Sequence, residues 1–132
     1  MSGTAIIKSL LGANAALVAQ VPATRIFVGD VPLNTTLPAI SVKRISGTSH
    51  LPVAMNLTTT FQTQRIQVTL LTKTAAQDAI WALIRPALPN TRGTVSTFAV
   101  DSILPDIEGP DMFDQVAVIY QQSTDYMVKF AR

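Results

Sequence analysis

The sequence contains no cysteine, one histidine, one glutamate, one tryptophan and little charge of either sign. Without cysteine, disulfides, thiolate zinc sites, iron–sulfur clusters and a cysteine nucleophile are excluded. His50 is the only histidine that a Ser-His-Asp scheme could use, and no G-x-S-x-G elbow accompanies it. The glycines form neither a G-x-G-x-x-G nor a Walker-type run, so no phosphate cradle is in sight. With Glu108 as sole glutamate, a glycosidase-like pair would most simply take its partner from Asp106 or Asp111 in the same segment. An enzyme is the poorest reading, and no motif asks for a cofactor.

Charge is scarce as well. Asp, Glu, Lys and Arg make up 14% of the chain, against about 25% in an ordinary soluble domain. A nucleic-acid footprint needs clustered bases. The only adjacent pair is Lys43-Arg44, and strand alternation would send those two side chains to opposite faces. A chain that is 48% hydrophobic and this sparsely charged has little to hold its copies apart. Interfaces are depleted in charge at their centres, so the composition hints at assembly. At 132 residues, one domain over 1–132 is expected, with a core that needs no metal or disulfide staple.

The apolar opening from Ala5 to Val21 has no basic n-region and is interrupted by Lys8, Asn14 and Gln20. It therefore reads as neither a signal peptide nor a membrane span. Ile6, Ile7, Leu10, Leu11, Leu17, Val18 and Val21 share one helical face. Asn14 would be an unpaired amide in the middle of that face. A break at Gly12-Ala13 is expected, with Asn14 capping a second helix, Ala15 to Gln20, that Pro22 stops.

Strands are expected over Arg25 to Val28, Ala39 to Ser46, Thr59 to Thr72, Thr94 to Ile103 and Gln115 to Phe130. In the third, Ile66, Val68 and Leu70 share a core face, and Thr63, Arg65, Gln67 and Thr69 share a polar one. In the last, Val116, Val118 and Tyr120 alternate. Thr74-Ala75-Ala76-Gln77 reads as a capping box opening a helix from Ala75 to Leu88. The order α, β, β, β, α, β, β predicts an α+β fold, a mainly antiparallel sheet with helices packed on one face.

Asp106, Glu108, Asp111 and Asp114 fall within nine residues around Gly109-Pro110. Their spacing matches no EF-hand calcium loop, so a solvated acidic loop is expected over a metal site. The polar face of the Thr59 to Thr72 strand suits solvent or a subunit joint equally, because neutral polar groups can pair across a joint without the desolvation cost of charge.

Several motifs, taken in order, resemble the bacteriophage tail-completion proteins that join tail to head. They are Leu10-Leu11-Gly12-Ala13-Asn14-Ala15-Ala16-Leu17, Arg25-Ile26-Phe27-Val28-Gly29, Val31-Pro32, and Leu37-Pro38-Ala39-Ile40 leading to Arg44-Ile45-Ser46. Arg65-Ile66-Gln67-Val68, the helix that follows, and Asp125-Tyr126 continue the likeness over nearly the whole chain. The resemblance implies a small α+β subunit forming a ring, typically of six copies, at the head-proximal end of the tail. Its partners would be copies of itself, the tail-tube protein and the head connector proteins, with no membrane. It would reside in the virion, and in the host cytoplasm during assembly. A tail terminator or minor head–tail connector is the alternative. The family carries no catalytic residues. Contacts are expected from the 47 to 64 arm, with His50 and Met55, from Arg65, Gln67 and Thr69, and from Asp106, Glu108, Asp111 and Asp114.

Overall fold

The computed structural model describes residues 2–50, 61–75 and 77–131. The first helix, α1 (Ser2–Ala13), buries Ile6, Ile7 and Leu11. It ends at Asn14, whose side-chain oxygen accepts the Leu17 amide at 3.0 Å and caps α2 (Ala15–Gln20). That bond relieves the buried amide that a continuous helix would have left unpaired.

A 3-10 turn over Ala23–Arg25 then takes Arg25 out of the expected strand, and β1 is shorter, Ile26–Val28. Strands β2 (Ala39–His50) and β3 (Phe61–Thr72) form a long antiparallel hairpin, with a bulge between Arg44 and Ser46. Helix α3 (Asp78–Ala87) follows. The chain ends in β4 (Gly93–Val95), β5 (Phe98–Glu108), β6 (Met112–Asp114) and β7 (Ile119–Ala131).

The strands make one sheet of order β1-β2-β3-β7-β5-β4, with β6 also on β7. Ile40, Val42, Ile66, Val68, Leu70, Val128 and Phe130 are fully buried on one face, in a cluster with α1, α2 and the Trp81 and Ile84 side chains of α3. The period of 2 on β3 and the helical period of α1 thus meet in the same layer.

Several expectations need correction. The sheet is not wholly antiparallel: the 29–38 link carries the chain back so that β1 and β2 run parallel, Ile26 opposite Ile40. The expected order lacks the short strands β4 and β6 and counts as one the two helices that the expected break at Asn14 separates. The capping box does not form, and α3 starts later, after Gln77, which makes no side-chain cap. Gln77 instead turns its amide inward, donating to the Leu70 and Tyr120 carbonyls at 3.4 and 3.0 Å. The expected strand from Thr94 splits at Ser96-Thr97, both in the left-handed region, into β4 and β5.

The stretch expected as an acidic loop is largely strand, β5 up to Glu108 and then β6. Gly109 keeps the two in line by donating to the Ser123 carbonyl at 2.8 Å. Val116 and Val118, expected in a strand, lie in the turn between β6 and β7 and are exposed.

Candidate assembly surface

The polar face of β3 stands opposite the helices. Arg65 reaches across β7 to Asp106 on β5 at 2.6 Å and also meets Asp125 on β7 at 3.3 Å. Three adjacent strands are therefore joined by one guanidinium. Gln67 is half-buried, and Thr69 is buried beside Ser41, whose hydroxyl donates to the Gly29 carbonyl. Met55 lies outside the described residues, as does the side chain of His50; the His50 backbone ends β2 opposite Phe61.

The four acidic residues do not converge. Asp106 faces Arg65, and Glu108 faces Arg85 of α3 at 3.7 Å. Asp111 accepts from the Gln122 side chain at 2.7 Å. One Asp114 oxygen accepts the Val116 and Ala117 amides at 2.9 and 3.1 Å, fixing the turn. No group of three or more potential metal-ligating side chains occurs among the described residues. Burial raises the Tyr126 phenol above its ordinary range; Arg85 opposes this shift and Glu108 adds to it.

Two hairpins lie at opposite ends of the sheet. The register sets Phe61 opposite Ala131 at one end and Thr72 opposite Tyr120 at the other. The described parts of β2 and β3 end at the first, level with β7, and the β6–β7 hairpin turns at the second. The latter carries exposed Met112, Phe113, Val116 and Val118, with Val116 96% exposed. Phe113 stacks on Tyr120, ring centroids 4.4 Å apart. With Leu71 and Ile119 it lines an open groove of about 570 Å³. Sequence reasoning missed this apolar tip, because alternating valines imitate a buried strand. The signal available was Asp114, a turn-capping residue, just before them.

No family profile and no curated protein matches the chain. Among solved structures, the fold matches a chain from the "Virion of native gene transfer agent (GTA) particle". The TM-score is 0.68 at 15% identity, over 98% of this chain and 94% of that one. The two chains share a fold from end to end.

Proposed function

We propose that this protein is a structural subunit of a phage-like virion, working by surface complementarity and without catalysis or a cofactor. The observation that carries the reading is the end-to-end match to a chain of the gene transfer agent virion, covering nearly all of both chains. Low charge and an exposed apolar hairpin support it, since both suit a surface destined for burial.

The finer reading follows the resemblance to tail-completion proteins: a ring, of six copies, at the head-proximal end of the tail that joins tail to head. In that setting the two faces of the ring meet the tail-tube protein on one side and the head connectors on the other. The β6–β7 hairpin gives each subunit an exposed apolar element for one of those sides.

Electron microscopy of particles made without this protein tests the proposal. Full heads beside separate tails of normal length are the expected result. Overlong tails would move the role to tail termination, and particles with normal attached tails would overturn both.

A further inference from the structure

The sheet is electrically polarised across its width. Six of the eight acidic residues, Asp101, Asp106, Glu108, Asp111, Asp114 and Asp125, lie between residues 93 and 128, a stretch with no Lys or Arg. Ahead of Asp78 the balance is reversed: Asp30 is the only acid among Lys8, Arg25, Lys43, Arg44, Arg65 and Lys73. The strand order places β1 and β2 at one side and β5 and β6 at the other. One lateral edge carries an excess of base and the opposite edge an excess of acid, although Asp30 pairs with Lys43 on the first, and Arg92, Lys129 and Arg85 pair with Asp101 and Glu108 on the second.

Among the described residues, both edges also lack a neighbouring strand over part of their length. β1 covers β2 only from Ile40 to Val42, so the outer side of β2 from Lys43 onward faces no strand among the described residues. β4 covers β5 only from Phe98 to Val100. Beyond it, bulges between Val100 and Ser102 and between Pro105 and Glu108 interrupt the β5 ladder, and Pro105 has no N–H to offer. Those features blunt the middle of β5 against further pairing. The usable part of the acidic edge is its far end, from Glu108 through β6.

Glu108 there is paired with Arg85, which leaves Asp111 and Asp114 as the unpaired acids of that edge. Arg65 is occupied by Asp106 and Asp125 within the chain, and Lys43 by Asp30. Arg44 is exposed and has no ion-pair partner among the described residues, and neither have Asp111 and Asp114. From these placements we infer that copies of this chain associate side by side, the β2 edge at Arg44 of one copy lying against the Asp111–Asp114 edge of the next. Two different patches in contact make a heterologous joint, which propagates from copy to copy and closes into a ring when the rotation allows. Complementary charge sets the partner and the direction, because like edges repel.

This inference deepens the ring proposed above, and its test is independent of any virion. Sedimentation of the purified chain at low salt and millimolar concentration is expected to show self-association that weakens as salt rises. Arg44→Glu alone, or Asp111→Arg with Asp114→Arg, should each weaken association by roughly tenfold or more. Combining all three substitutions in one chain should restore it. So should mixing the two reversed chains, because each then presents the edge the other lacks.

Association unchanged by both reversals, rescue that fails in both the combined chain and the mixture, or a wild-type chain that stays monomeric would overturn the edge pairing. Circular dichroism of each variant excludes misfolding as the cause of a loss. Particles that assemble normally without the protein, while the edges still pair in solution, would remove the virion role and leave this joint standing.

Discussion

Arg65 on the central strand β3 reaches past β7 to hold Asp106 on β5 at 2.6 Å, with Asp125 beneath the same guanidinium at 3.3 Å. The Asp125 side chain is 17% exposed and that of Arg65 26%, so this pair is only partly screened by water. Replacing Arg65 by Met keeps much of the packing but leaves two carboxylates uncompensated on adjacent strands. The expected loss is about 1–3 kcal/mol, toward the lower end because Asp106 can still reach water. Urea denaturation measures it. Asp106→Asn together with Asp125→Asn should bring part of the loss back in the Arg65→Met background, the coupling expected of groups in one network.

Two glycines of α1 should respond in opposite directions. Gly3 donates its amide to the buried side chain of Gln64 at 3.0 Å. A Cβ at Gly3 would fall 2.6 Å from Gln64 Oε1 and 2.8 Å from Ile66 Cδ1. Gly12 has nothing within 4 Å of its would-be Cβ. Gly3→Ala is therefore expected to lose about 1–3 kcal/mol through overpacking. Gly12→Ala should gain about 0.5–1 kcal/mol by removing unfolded-state freedom. Thermal unfolding of the two variants side by side checks the opposite signs.

The elements that could be read in the sequence are those whose physics is local. Asn14 announced the helix break because a single buried amide has one cheap remedy, the cap it forms. Ile66, Val68 and Leu70 announced their strand because alternation of that length has one core-facing solution. What stayed hidden depends on partners far along the chain. Gln77 had the spacing of a capping residue, yet the Tyr120 carbonyl, 43 positions away, takes its amide instead. The tie of Arg65 to Asp106 is likewise invisible in the sequence, because it exists only where β7 is threaded between β3 and β5. The acidic segment was expected as a loop because charge and Gly109-Pro110 favour one. Its pairing with β7 is set by register that begins near Ala131.

Tyr126 gives the fold an alkaline limit. The phenol is 2% exposed, and burial holds its proton on above the ordinary tyrosine range. In the unfolded chain it ionises near about pH 10. Above that pH the unfolded state binds fewer protons than the folded one, so stability falls as pH rises. The contribution of the neutral phenol is fully present below about pH 10 and is lost as the pH climbs toward the raised value in the fold. Urea midpoints taken from pH 8 to pH 11 should drop at the alkaline end, and Tyr126→Phe should flatten that drop relative to the parent chain.

Val118 closes the β6–β7 turn with φ of 55°, a conformation that a β-branched side chain adopts only under constraint. The constraint is visible: Asp114 holds the Val116 and Ala117 amides, and Ile119 opens β7 opposite Asp114. The Val118 side chain is 51% exposed, so little packing within the chain repays the strain. Val118→Gly or Val118→Asn should therefore raise stability by about 1 kcal/mol, since both residues enter the left-handed region at lower cost. Val116→Ser, at a side chain 96% exposed, should leave the unfolding midpoint unchanged. Strain kept beside an exposed apolar tip is the pattern of a surface shaped for contact. Under the joining role proposed above, particles carrying Val118→Gly or Val116→Ser should show fewer joined heads and tails although the subunit itself is no less stable. Undiminished joining in both variants would show that the tip makes no contact in the particle.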